Sequence, residues 1–92
     1  MKATAEIQAV PLGTGVSVRK EVLRAVEILS ESGLLVESHA SGTNVEGELE
    51  QILQAVQRIH ERLHAEGTVR LTTNVKLETR TDKEPTLAGK RL

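Results

Sequence analysis

The sequence predicts an α+β domain of order β-α-β-β-α-β, a four-stranded antiparallel sheet with two helices on one face. Three observations lead there. Apolar and polar residues alternate near both ends of the chain, over residues 3–9 and 69–77. Two stretches between them repeat their apolar residues at helical spacing. Glycine and proline mark the joins. Ninety-two residues are enough for one domain, spanning 1–92.

The elements follow in order. Ala3, Ala5, Ile7 and Ala9 alternate with Lys2, Thr4, Glu6 and Gln8, the pattern of a half-buried strand. Pro11 and Gly13-Thr14-Gly15 are expected to stop it. Ser17 is the expected N-cap of the first helix, whose face is Val18, Val22, Ala25, Val26 and Leu29, with Gly33 placed to end it. Leu34–Ala40 reads as the second strand, Ser41-Gly42 as a turn, and Thr43–Glu46 as a short third strand. The second helix is the clearest element: Leu49, Ile52, Leu53, Val56, Ile59 and Leu63 form one stripe. Glu46, Glu48 and Glu50 lie near its start and Arg58, His60, Arg62 and His64 near its end, a polarity that suits the helix dipole. Gly67 closes it. Val69, Leu71, Thr73, Val75 and Leu77 then alternate with polar residues as a long last strand, and Thr81–Leu92, with Pro85 and Gly89, reads as a polar tail or short edge element. Two right-handed crossovers make this the ferredoxin-like arrangement.

Composition removes several function classes. Lys plus Arg come to 12 and Asp plus Glu to 13, a net charge of -1, which does not suit a nucleic-acid carrier. There is no Phe, Tyr or Trp on which to stack bases. There is no Cys, so disulfides, thiolate metal sites and thiol nucleophiles are excluded. No signal peptide and no bilayer-spanning run is legible, and the expectation is a soluble, cytoplasmic protein with no membrane partner. A core of Val, Leu, Ile and Ala in so short a chain gains from subunit association, so a homo-oligomer is expected.

If the helices cover one face of the sheet, the other carries Thr4, Glu6, Gln8, Leu35, Glu37, His39, Ser41, Asn44, Glu46, Arg70, Thr72, Asn74, Lys76 and Glu78. Such a face can be simply solvated. It can also meet a second sheet, or hold a polar heterocycle whose groups it pairs.

Ser41-Gly42-Thr43-Asn44-Val45-Glu46-Gly47-Glu48, running straight into the second helix, resembles the thiamine-binding protein family of small ferredoxin-like domains. Val10-Pro11-Leu12-Gly13, Gly33-Leu34 and Thr72–Arg80 agree with it, so the resemblance covers nearly the whole chain. It implies a non-catalytic protein that binds thiamine or its hydroxymethyl-pyrimidine portion, with no cofactor beyond that ligand, and forms dimers or tetramers through its sheets. Carried onto this chain, the expected ligand residues are Ser41, Thr43, Asn44 and Glu46 near the junction of the second and third strands, with Gln8, Glu37 and His39 nearby. Asn44 and Gln8 can pair with an aminopyrimidine edge. Glu37 or Glu46 can offset a thiazolium charge, and His39 is the one ring available for stacking. Glu46, just ahead of a helix, can equally serve the dipole and the free amides there.

Other motifs carry less. His60-Glu61-Arg62-Leu63-His64 matches H-E-x-x-H, but Ile59 and Leu63 belong to the core stripe and no third ligand stands at a supporting spacing. No catalytic metal is expected. Gly13-Thr14-Gly15 lacks the Gly-Lys-Ser/Thr of a phosphate loop, and no serine has a base at informative spacing. The alternative function is an ACT-like regulatory domain, of the same element order, binding an amino acid at a glycine-rich helix start.

Overall fold

The computed structural model describes residues 1–91. Strand β1 (Lys2–Leu12) is followed by α1 (Arg19–Glu31), β2 (Leu35–His39), β3 (Gly42–Glu48), α2 (Leu49–Ala65) and β4 (Arg70–Glu78), with a final 3-10 turn at Ala88–Lys90. The four strands form one antiparallel sheet in the order β2-β3-β1-β4. This is the expected β-α-β-β-α-β arrangement.

Period two fixes what each strand buries. Ala3, Ala5 and Ile7 of β1 and Val45 of β3 point to the helices, as do Ala25, Ile28 and Leu29 of α1 and Ile52, Ala55, Ile59 and Leu63 of α2 to the sheet. The β1 side of this core is mostly alanine, and Ile28, Leu29, Ile52, Ile59 and Leu63 of the helices fill the space above it. Gly33, at φ +77°, follows α1 in the left-handed region where a side chain would be strained. The end of α2 is a Schellman turn: the Thr68 amide donates to the Leu63 carbonyl at 2.9 Å and the Gly67 amide to that of His64 at 3.2 Å.

Several details depart from the sequence pattern. Pro11 does not stop β1, which runs on to Leu12 opposite Arg70. Beyond Ile7, β3 has turned away and β1 has a single neighbour, the edge setting in which proline is tolerated. Ser17 does not cap α1: the helix starts at Arg19 behind Val18, and the Ser17 hydroxyl accepts only a long 3.5 Å bond from the Arg19 amide. The third strand is longer than expected, because Gly47 and Glu48 continue the ladder opposite Ala3 and Lys2.

The largest departure is at the far face. The sequence suggests that this face is left free, but residues 85–91 return across it. Pro85 and Leu87 are buried, and Leu87 donates its amide to Glu46 Oε1 at 2.8 Å. The Lys90 ammonium pairs with Glu78 on β4 and the Arg91 guanidinium with Glu37 on β2, tying the segment to both edges of the sheet. The physical cause is a large apolar side chain, Leu87, in a mostly polar tail. It leaves water on this face, where Thr4 is also buried.

Gly47 packs on the helix side, where a Cβ would stand 2.5 Å from Leu34 Cδ2. Gly47→Ala should therefore destabilise the fold by about 1–3 kcal/mol through overpacking. Urea denaturation checks this, with an unchanged midpoint as the contrary result.

Candidate functional site

The β1 overhang shapes one corner of the molecule. Gln8–Leu12 pair with β4 but have no partner in β3. The chain then crosses from Leu12 to α1 through Gly13 (φ +78°) and Gly15 (φ +97°), left-handed positions that let the loop swing wide. The N-terminal half of α1 thus hangs over a notch in the sheet rather than lying flat on it. Val22 and Leu23 keep 37% and 53% of their surface exposed as a result.

The notch is a groove of about 490 Å³ between α1, the end of β1 and the β2–β3 hairpin. That volume lies in the ~300–1,000 Å³ range of small-molecule pockets. Its walls are aliphatic, with Ile7, Val10, Val18, Val22, Val26 and Leu29 among them. Polar groups are few. The Ser38 and Thr43 hydroxyls, 3.5 Å apart, bring hydrogen-bonding capacity to it, and Gln8, His39, Ser41 and Arg19 also line it. Thr43 is buried, so its hydroxyl is shielded from bulk water and its one protein partner is distant. Gln8 borders the groove at the strand edge, but its side chain turns to the far face, where Oε1 accepts a 3.0 Å bond from the Asn74 amide.

A second, smaller cavity of about 290 Å³ lies on the far face beneath the C-terminal segment. Thr4, Glu6, Glu37, Asn44, Lys76 and Glu78 line it from the sheet, and Leu87, Lys90 and Arg91 from the segment. Its carboxylates are largely committed to cations of the same chain. The Lys90 ammonium holds Glu78 below the ordinary carboxylate range by hydrogen bonding and charge.

Beside this cavity His39 joins the hairpin to the sheet. Its Nδ1 accepts the Ser41 amide at 3.3 Å, so Nε2 carries the proton in the neutral ring and donates to Asn44 Oδ1 at 3.1 Å. The Glu6 carboxylate stands 3.4 Å from the same Nε2.

The seven residues singled out from the sequence do not share one face. Gln8, His39, Ser41 and Thr43 line the groove, whereas Glu37 and Asn44 line the far-face cavity. Thr43 and Asn44 are consecutive in β3 and must point to opposite sides. Glu46 lies under the C-terminal segment, where its carboxylate accepts the Leu87 amide instead of serving the start of α2. That start is held by Gln51, whose Oε1 accepts the Glu48 amide at 3.2 Å. The Glu48 carboxylate, 3.1 Å from the N-terminal ammonium, is held below its ordinary pKa by it.

The aliphatic wall from α1 is the part that sequence reasoning missed. Val22 and Val26 look like core positions, and only the overhang of β1 turns them toward an opening. The H-E-x-x-H pair is occupied otherwise: His60 Nε2 bonds Thr73 Oγ1 at 3.0 Å, and His64 Nδ1 donates to the Thr68 carbonyl at 2.7 Å. Among the described residues no group of three His, Cys, Asp or Glu is placed to hold a metal ion, and no helix is long and apolar enough to cross a membrane.

Comparison with known proteins gives a consistent picture. The family model described as thiamine-binding protein matches residues 5–91. A UPF0045 protein of Synechocystis sp. is 40% identical over 90 residues, covering 98% of this chain and 74% of that protein. A UPF0045 protein of Methanocaldococcus jannaschii is 38% identical over 89 residues, covering 97% of this chain and 88% of that one. The solved structure of a hypothetical protein from the same organism superposes with a TM-score of 0.90, at 38% identity, covering 97% and 91% of the two chains. A Thermotoga maritima structure, provisionally described as a thiamine biosynthesis/salvage protein, gives a TM-score of 0.87 at 27% identity, covering 98% and 95%.

The Leu87–Glu46 bond can be tested alone. Glu46→Ala should speed hydrogen exchange of the Leu87 amide about tenfold or more, since a bond to a charged acceptor contributes ~1.5–3 kcal/mol. Because the Glu78 pKa is lowered, its tether to Lys90 is intact at neutral pH and is lost as pH falls through that lowered value. The Leu87 methyl resonances should accordingly stay still through the ordinary carboxylate range and move only as pH falls below it. Unchanged exchange in the variant would contradict the docking of this segment.

Proposed function

The chain belongs to the thiamine-binding protein family, and on that premise we propose that it is a cytoplasmic, non-catalytic binding protein for thiamine or its hydroxymethyl-pyrimidine portion. The observation that carries this reading is the groove: aliphatic on its walls, with the Ser38 and Thr43 hydroxyls as its neutral polar groups. An aminopyrimidine is flat, uncharged at neutral pH and rimmed with both donors and acceptors. It can lie against Ile7, Val22 and Val26 while its ring nitrogen and amino group exchange hydrogen bonds with Thr43 and Ser38.

The thiazolium ring is a different matter. A cation is costly to bury among aliphatic side chains, and Arg19 stands at the groove. The charged ring therefore stays at the mouth, in water, and adds little affinity. The polar rim of His39 and Ser41 and the neighbouring Glu6 carboxylate are the groups nearest to it. Glu37, Asn44 and Glu46 act on the far face, holding His39 and the C-terminal segment and so shaping the hairpin side of the groove. The working unit in this proposal is a homo-oligomer joined through its sheets.

Calorimetric titration is the test. Thiamine and free hydroxymethyl-pyrimidine should both bind saturably, with dissociation constants within a few-fold of each other, and amino acids should not bind. Thr43→Val keeps the shape but removes the hydroxyl, and should weaken both ligands roughly two- to tenfold, the range of one net hydrogen bond. Silence toward both ligands, or binding of an amino acid instead, would overturn the proposal.

A further inference from the structure

The charge around the groove is one-sided. The chain carries 12 Lys plus Arg and 13 Asp plus Glu, yet among the described residues no carboxylate lines this cavity, and one guanidinium, that of Arg19, does. The far-face cavity is the contrast. Glu6, Glu37 and Glu78 line it together with Lys76, Lys90 and Arg91, and Glu37 and Glu78 are already paired. Arg24, further along α1, is held by Glu27 and Glu66. The exposed Arg19 side chain has no such partner among the described residues.

Helix geometry sets Arg19 at the mouth. Arg19, Val22, Leu23 and Val26 recur at steps of three and four and share one face of α1. Lys20, Glu21 and Arg24 line a separate hollow with Glu66 and Thr68, so Glu21, the acid of the first turn, is turned away from the groove. Val18 stands at the N-cap and offers no side-chain acceptor, which leaves the Lys20 and Glu21 amides without one. A guanidinium in the first turn opposes the helix dipole, so the fold itself gains nothing from this charge. Deeper in the groove Thr43 is 5% exposed, and its hydroxyl is 3.5 Å from that of Ser38, beyond the ordinary O–H···O range of about 2.5–3.0 Å. A buried hydroxyl without a close partner calls for a ligand atom, and the mouth calls for a negative one.

We propose that the preferred ligand of this groove is the phosphomonoester of hydroxymethyl-pyrimidine. The ring lies on the aliphatic wall beside Thr43, and the phosphate meets the Arg19 guanidinium and the first amides of α1. The proposal rests on the pyrimidine reading above and adds the charge of the ligand. In thiamine the exocyclic methylene of the pyrimidine carries a cationic ring. In the ester the same carbon carries a phosphate, with a charge of about −1.5 to −2 at neutral pH. One cationic mouth cannot favour both. The ester therefore ranks above the free alcohol, and thiamine ranks no better than the alcohol.

Calorimetric titration of the whole chain with the ester, the free alcohol, thiamine and inorganic phosphate tests this. At low salt the ester should bind about tenfold tighter than the alcohol or better, the range of one charge-assisted hydrogen bond. Sodium chloride should shrink that advantage, because Arg19 is exposed. Inorganic phosphate, lacking the ring, should not saturate in the same range. Arg19→Gln should move two ratios in opposite directions: the ester loses most of its advantage over the alcohol, and thiamine gains on the alcohol. Damage to the fold would weaken all three together. Arg19→Lys keeps the charge and should keep the ester preferred.

Equal affinity for ester and alcohol, an ester preference that survives Arg19→Gln, or inorganic phosphate bound as tightly as the ester would overturn the proposal. Circular dichroism reports whether the variants fold; should they not, the ranking and its salt dependence in the wild-type chain decide. Binding of the alcohol with no gain for the ester overturns the phosphate site alone. Binding of the ester with silence toward alcohol and thiamine keeps the phosphate site and overturns the earlier reading. Silence toward all four overturns both.

Discussion

β1 outruns β3, and the character of this molecule follows from that mismatch. The strand is central where it carries Ala3, Ala5 and Ile7 and becomes an edge where it carries Gln8–Leu12. On the central stretch its small side chains let both helices settle on the sheet. On the overhang there is no third strand for α1 to cover, so the helix spans a gap. The loop with its two left-handed glycines permits that span. Core and groove are thus continuous, and Ile7 and Leu29 belong to both.

A chain without Phe, Tyr or Trp would hold the proposed ring ligand by other means. In that reading, contact with a flat guest depends on aliphatic surface and on a few hydroxyl groups. Thr43 illustrates how the fold arranges this. Strand periodicity turns it toward the helices, the direction of the core, yet at the corner of the sheet that direction opens onto the groove. The next residue, Asn44, points away and holds His39, which in turn receives the Ser41 amide and steadies the hairpin. Two consecutive residues therefore serve one site from opposite faces, one by lining it and one by fixing its frame.

Much of the fold is legible in the residue pattern. Alternation over 3–9 and 69–77 marks β1 and β4, the stripe from Leu49 to Leu63 marks α2, and Gly33 and Gly67 end the helices as their positions suggest. What escapes the pattern depends on neighbours. Pro11 reads as a strand breaker until β3 is seen to have ended beside it. Ser17 reads as a cap, but the helix begins one residue too late for its hydroxyl to reach a second or third amide. The tail reads as polar, and Leu87 redirects it across the far face. Of the candidate site, the hairpin residues were legible because they stand together in the chain. The α1 wall was not, because Val22 and Val26 become a lining only through the length of a strand elsewhere.

The most direct measurement is an amide-resolved NMR titration with hydroxymethyl-pyrimidine. If the groove between α1 and the hairpin is the binding site, the amides of Val22, Val26, Ser38 and Thr43 shift and saturate together, while those of Lys76, Glu78 and Leu87 stay still. Saturating shifts confined to the far face, around Lys76, Glu78 and Leu87, would contradict the account and place the ligand beneath the C-terminal segment.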